Sequence, residues 1–186
     1  MSEPSIKLVA FCGSLRKGSF NRLALQAFIE RLPQGTSVET IEIGDWPLYN
    51  ADIQAQGFAN PVQAAQQKML AADGVVFASP EYNYSVSGVL KNAIDWASRA
   101  PNMPFDGKTG AVFGASGGVL GTARSQRDLR WIMSGLNVYM VNLPHVYVGS
   151  AAQKFADGKL TDQGARDFIK QLLENLRDLT LKLQSK

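Results

Sequence analysis

The sequence predicts an α/β protein with a doubly wound, parallel, five-stranded sheet in the order 2-1-3-4-5 and helices on both faces. Two observations carry that reading. Short apolar runs alternate along the chain with segments of helical periodicity, as parallel strands joined by crossover helices require. The loops of unusual composition follow only the first, third and fourth strands: GSLRKGSFN (13–21), PEYNYS (80–85) and SGGVLGTAR (116–124). In that order these three strands are neighbours. Their carboxyl ends line the crevice at the switch point, where such sheets bind ligands.

The first strand is IKLVAFC (6–12), a continuous apolar run stopped by Gly13 and Ser14. Such a run fits a strand buried on both faces. NRLALQAFIERL (21–32) follows as a helix, with Leu23, Ala24, Ala27, Phe28 and Leu32 at helical spacing, and PQGT breaks it. SVETIEI (37–43) alternates and gives strand two, and residues 44–61 read as an irregular connection. Pro61 suits the first turn of a helix over 61–72. GVVFAS (74–79) is the third buried strand, stopped by Pro80. A helix over 85–99 carries Val86, Leu90, Ile94 and Ala97 in one stripe. KTGAVFGAS (108–116) is the fourth strand, followed by a helix over 123–136. A fifth strand lies within NVYMVNLPHVYVG (137–149), interrupted by Pro144. In the tail from Leu160 to Leu183, Phe168, Leu172, Leu176, Leu179 and Leu183 mark an amphipathic helix. No repeat, low-complexity segment or boundary interrupts this order, so a single domain over 1–186 is expected.

The composition, 45% hydrophobic and 19% charged with a net charge of +3, is that of an ordinary globular chain. Lys and Arg are spread along it, with no block of like charge to mark a nucleic-acid-binding arm. The single cysteine, Cys12, excludes an internal disulfide. The amino-terminal stretch MSEPSIKLVAFCGS has no basic leader region, and no apolar run approaches a membrane span. A cytoplasmic location is therefore expected.

The first loop suits a phosphate. It offers consecutive backbone N–H groups, the hydroxyls of Ser14 and Ser19, the cation of Arg16 and the positive end of a following helix. Ser19 or Asn21 is also a natural N-cap, so a plain helix start is the competing reading. The loop lacks both the Gly-Lys-Ser/Thr ending of nucleoside triphosphate loops and the G-x-G-x-x-G pattern, which favours a terminal phosphate over a pyrophosphate. A cysteine phosphatase of this loop type places arginine six positions after the cysteine. Gly18 stands there and Arg16 comes four after, so Cys12 reads as a small buried hydrophobe.

The second loop, with Pro80, Tyr82, Asn83 and Tyr84, suits a planar ring with a polar edge; a proline-stopped strand with surface tyrosines is the alternative. Glu81 lacks a partner that would make it a base. In the third loop, Ser116, Gly117, Gly118 and Gly121 allow close backbone approach to a flat ligand, with a flexible surface turn as the alternative. His145 has no nucleophile in register and reads as structural. No metal-ligand spacing and no hydrolytic triad occur.

In this order GSLRKGSFN, SPEYNYSVSGVLKNAIDW and SGGVLGTAR resemble the NAD(P)H-dependent FMN reductases of the flavodoxin-like superfamily, in particular its bacterial quinone and chromate reductases. PEYN…LKNAIDW is the most specific stretch. Ser87 departs from the pattern, standing where many relatives have proline. The resemblance implies a three-layer flavodoxin-like fold with FMN as cofactor and NADPH or NADH as donor. It implies that Ser14, Arg16, Ser19, Phe20 and Asn21 hold the phosphate and ribityl end. Pro80, Glu81, Tyr82 and Asn83 would border the isoalloxazine, and Ser116 and Gly117 would meet its other edge. The flavin would carry the chemistry, with no catalytic acid or base and no metal. A ping-pong mechanism would deliver electrons to quinones, or to chromate or azo acceptors. The resemblance further implies a homodimer or homotetramer with FMN near a subunit interface.

Two other classes compete. A flavodoxin-type electron carrier without its own substrate is expected to be strongly acidic, which the +3 charge and the arginine-rich helix at 124–130 oppose. A non-redox phosphate-ligand binding module would lack flavin colour. Segments 89–100 and 122–133 hold Trp96, Arg99, Arg124, Arg127 and Trp131, residue types enriched at interface centres, so an interface beside the ring loops is expected.

Overall fold

The computed structural model describes residues 6–99 and 101–185. The first five residues of the amino-terminal stretch and Ala100, which ends the 89–100 segment, lie outside the described residues. In chain order the elements are β1 (Ile6–Cys12), α1 (Phe20–Ile29), β2 (Thr36–Ile41), α2 (Ala51–Ala55), α3 (Asn60–Leu70) and β3 (Gly74–Ala78). A small hairpin follows, β4 (Glu81–Tyr82) and β5 (Ser85–Val86), then α4 (Gly88–Ala97), β6 (Thr109–Ala115) and α5 (Ala123–Gly135). The chain ends with β7 (Tyr139–Met140), β8 (Val146–Val148), a second hairpin of β9 (Phe155–Ala156) and β10 (Lys159–Leu160), and the long helix α6 (Gln163–Gln184).

The main sheet runs β2-β1-β3-β6, with all pairs parallel. β7 pairs with the start of β6 (Thr109 opposite Tyr139) and β8 with its end (Phe113 opposite Val146). This is the expected 2-1-3-4-5 order, with the fifth position shared by two short strands on either side of Pro144. A proline has no N–H to give a ladder, so the fifth strand breaks there.

Strand side chains alternate between the two faces. Leu8, Ala10, Cys12, Val76 and Phe113 pack under α1 and α6, against Phe28, Ile169, Leu172 and Leu176. Val9, Phe11, Val75, Phe77 and Val112 pack under α3, α4 and α5, against Met69, Leu90, Ile94, Trp96 and Leu129. Each Leu, Ile or Phe buried this way contributes about 1.5–3 kcal/mol relative to exposure. Both faces are therefore dry, and the ends of the strands are where a ligand can reach backbone.

Several expected boundaries shift for local reasons. Residues 85–86 are strand rather than helix, because Asn83 (φ 49°) and Tyr84 (φ 70°) both take left-handed backbone and reverse the chain between Tyr82 and Ser85. That pair of positive φ angles is the signature of a type I′ hairpin turn. The connection at 44–61 is not wholly irregular: Asn50 Oδ1 accepts from the Asp52 amide at 2.8 Å and starts α2. α6 begins at Gln163 because Asp162 Oδ1 caps the Ala165 amide at 2.8 Å.

The expected interface pair of tryptophans splits. Trp96 is fully buried, and its indole N–H donates to the Pro47 carbonyl at 2.8 Å, so it belongs to the core and not to an interface. Arg99 lies over the Tyr49 ring at 5.0 Å. Trp131 is 81% exposed on α5.

Candidate functional site

The loop after β1 is fixed at both ends and open in the middle. Gly13 donates to the Ala78 carbonyl at 3.0 Å, and its own carbonyl accepts from Ser87 Oγ at 2.8 Å. A Cβ at Gly13 would meet Pro80 and Ser87 at 2.8 Å, so only glycine lets the first two loops approach this closely. At the far end Ser19 is the N-cap of α1: its Oγ accepts from the amides of Asn21 and Arg22 at 3.2 and 3.4 Å. Of the two candidate caps, Ser19 fills the role, and Asn21 does something else. Its side chain exchanges two 2.9 Å bonds with the backbone of Ala115 and ties the start of α1 to the end of β6.

Between those anchors, the backbone N–H groups of residues 14–18 donate to no protein acceptor among the described residues. Arg16 is exposed, pairs with no carboxylate among the described residues and lies 5.5 Å from the Phe20 ring centre. Free amides, an uncommitted guanidinium and a helix amino end are features that suit an anion. Cys12 is buried beneath it, with its thiol donating to the Ser14 carbonyl at 3.8 Å, and burial pushes its pKa up. A neutral thiol of this kind is packing, not a nucleophile.

The hairpin forms the second wall. Tyr82 reaches across the cleft, its hydroxyl donating to Ser14 Oγ at 3.3 Å. Glu81 is not without a partner, as its sequence context suggested. Its carboxylate accepts from the amides of Arg124 and Ser125 at 3.0 and 3.3 Å and from the Arg124 guanidinium at 3.3 Å. Ser85 Oγ donates to Asp128 at 2.7 Å, and this bond, with Arg127, holds the Asp128 carboxyl below its ordinary pKa.

The third loop closes the cleft from the β6 side. Ser116 donates its N–H to the Val148 carbonyl at 3.0 Å. Gly121 takes φ 56°, and a Cβ there would strike the backbone of Tyr147 at 2.5 Å. A Cβ at Gly117, by contrast, meets no atom within 4 Å, although Gly117 lines the cleft.

The three loops enclose a cleft of about 240 Å³. Of the residues that the family resemblance assigns to the flavin, all but Asn83 line it; Asn83 sits exposed in the hairpin turn, and Tyr84, Gly118 and Gly121 also stand outside the lining. Ala115, the last residue of β6, also lines it. Sequence reasoning missed Ala115 because it reads only as the end of a buried strand. A hollow of about 420 Å³ lies at the amino ends of β1 and β2. Two of its charged groups, Lys68 and Glu39, are paired with each other at 2.6 Å, and none of the three unusual loops reaches it. His145 is exposed on the sheet edge, its ring stacked on Tyr147 at 5.3 Å.

A doubly wound sheet whose switch-point crevice joins an anion loop to a slot for a flat group defines a mononucleotide-binding class of protein. Within that class the chain belongs to the NADPH-dependent FMN reductase family, whose model matches residues 6–153. An NAD(P)H-dependent FMN reductase of Pseudomonas aeruginosa is 49% identical over 92% of this chain and 94% of its own. A quinone reductase of Escherichia coli K12 is 42% identical over 91% of this chain and 92% of its own. The solved structure of FerB, a flavoenzyme NAD(P)H:(acceptor) oxidoreductase from Paracoccus denitrificans, superposes with a TM-score of 0.85 at 32% identity, covering 95% of this chain and 98% of that one.

Proposed function

We propose that this chain is an FMN-dependent oxidoreductase that takes electrons from NAD(P)H and delivers them to quinones. The observation that carries the reading is the row of free amides at 14–18 beside the uncommitted Arg16, facing a slot walled by the hairpin and by Gly117. One terminal phosphate and one flat ring match that pairing. The names of the relatives, FMN reductase and quinone reductase, supply the donor and acceptor classes.

When bound, FMN would supply the redox chemistry between the nicotinamide donor and the acceptor. The residues of the chain bind and orient. The 14–18 amides and the Ser14 hydroxyl would hydrogen-bond the phosphate and Arg16 would offset its charge, aided by the positive end of α1. Ser19 and Asn21 hold the loop's geometry, the one as cap and the other as clamp on Ala115, and Phe20 packs beneath Arg16. Pro80 and Tyr82 would border the ring on one side, where Glu81 holds the hairpin to α5, and Ser116 and Gly117 would border it on the other. Asn83 contributes the turn that presents this edge. No side chain is required to move a proton.

The cleft is smaller than the roughly 300–1,000 Å³ of a complete ligand pocket, and Trp131 stands exposed on α5. Both favour a homodimer or homotetramer in which a second copy completes the wall.

A single cleft serving donor and acceptor in turn predicts ping-pong kinetics. With flavin-loaded protein, double-reciprocal plots at several fixed quinone concentrations are expected to be parallel. Intersecting lines would mean a second substrate pocket. Chromate and azo dyes belong in the same screen, with NADH and NADPH in parallel. Flavin-loaded protein that turns over with no donor and acceptor pair would overturn the enzyme reading and leave the electron carrier.

A further inference from the structure

Glu81 is bonded in a way that the flavin reading does not itself require. Helix α5 starts badly. Its N-cap, Thr122, sits in left-handed backbone at φ 71°, and its side chain makes no cap bond. The first amides of a helix need an acceptor from somewhere. Here it comes from 43 positions earlier in the chain: one Glu81 oxygen accepts from the amides of Arg124 and Ser125. The other oxygen accepts from the Arg124 guanidinium, which lies over the Tyr84 ring at 4.3 Å. The Glu81 side chain is only 12% exposed.

Two further bonds join the same parts. Ser125 Oγ donates to the Pro80 carbonyl at 2.8 Å, and Ser85 Oγ donates to Asp128. Both strands of the hairpin are thus fastened to the first two turns of α5. That helix start is also the exit of the third loop, Ser116 to Thr122. The two walls of the ring slot therefore meet at one helix end, where Glu81 caps the first amides and Ser125 and Ser85 add their own bonds. Among the described residues the phosphate loop bonds to none of Glu81, Ser85 and Ser125; it meets the hairpin through Tyr82, whose hydroxyl donates to Ser14 Oγ.

We propose that Glu81 is a positioning residue that sets the spacing of the ring slot by capping α5 from the hairpin. The inference rests on the reading of the cleft as a flavin site. If it holds, Glu81 governs recognition of the ring and leaves recognition of the phosphate alone. Riboflavin, which has the ring without the phosphate, separates the two.

The test is the dissociation constants of FMN and riboflavin, measured by flavin fluorescence on the full chain well below its melting temperature. Glu81→Ala is expected to weaken both ligands about tenfold, with their ratio unchanged, the tenfold being the factor that 1.4 kcal/mol represents. Glu81→Gln keeps an acceptor oxygen for the two amides and is expected to stay within about threefold of wild type, having lost only the charge-assisted part of the bonds. Lower stability alone would shift the melting temperature and leave both constants of the folded protein where they were. Should Glu81→Ala fail to fold, Ser85→Ala cuts the other fastening and is expected to weaken both ligands in the same ratio. Unchanged constants in these variants, or a loss confined to FMN, would overturn the inference. A wild-type chain that binds neither flavin would overturn the reading of the cleft, and this inference with it.

Discussion

From residue 14 to residue 18 the backbone amides on one wall of the cleft have no protein acceptor among the described residues, whereas on the opposite wall Ser79, Glu81, Ser85 and Ser125 are bonded to one another or to α5 and its neighbours. Residues 15–18 of the free wall are exposed, so water satisfies their donors at little cost, and an incoming anion would replace that water. On the bonded wall Ser79 and Ser125 are buried and Glu81 and Ser85 half-buried, where an unmatched polar group costs about 1–3 kcal/mol, so these groups must pair within the protein. One wall is organised to meet charge and the other to hold a shape.

Substitutions on the two walls should therefore separate binding from stability. The largest effect on stability is expected at Gly114, where a Cβ would overlap Thr122 Oγ1 and the Ser79 carbonyl. Gly114→Ala should destabilise the chain by about 2–3 kcal/mol in urea unfolding, because backbone cannot yield as a side chain can. Gly117→Ala, with open space around the new methyl, should unfold within about 0.5 kcal/mol of wild type while binding FMN less tightly. A smaller and opposite signature is expected on the free wall. Arg16→Ala should weaken FMN binding by about 1.5–3 kcal/mol, the scale of a charged hydrogen bond. Its unfolding free energy should not move by more than about 0.5 kcal/mol.

Ser87→Ala should come next, at about 1 kcal/mol of stability, since it leaves the Gly13 carbonyl without its donor. The smallest effect is a pH dependence. The Asp128 carboxyl is held below its ordinary value by Ser85 and Arg127, so its contribution is complete above the unfolded pKa near 3.9 and fades as pH falls through the lower folded value. The stability difference between wild type and Asp128→Asn should stay flat from pH 8 to about pH 5 and shrink below about pH 4. A difference that changes around neutral pH would point to another group.

The order of the sheet was legible because each strand is a short apolar run and each crossover shows helical period. The open loop ahead of α1 was legible for a related reason: Ser19 caps the helix that directly follows it. What the sequence hid were bonds over long separation. Nothing near Glu81 announces that it caps a helix 43 positions on, and nothing near Asn21 announces its clamp on Ala115. The hairpin at 81–86 was hidden because its turn has Asn83 and Tyr84 in left-handed backbone where a glycine would have signalled it. Trp96 and Trp131 look alike in sequence, yet one fills the core and the other faces outward, because helical phase alone does not say which stripe meets the sheet.

The central claim is that the loop at 14–21 holds the phosphate of a flavin mononucleotide. The most direct measurement is the ratio of riboflavin to FMN dissociation constants for wild type and for Arg16→Ala under the same conditions. The account predicts that wild type favours FMN by at least about tenfold, the equivalent of 1.4 kcal/mol from the phosphate, and that Arg16→Ala removes most of that preference while leaving riboflavin binding unchanged. Equal affinity of the wild-type chain for FMN and riboflavin, or a preference that survives in Arg16→Ala, would contradict it.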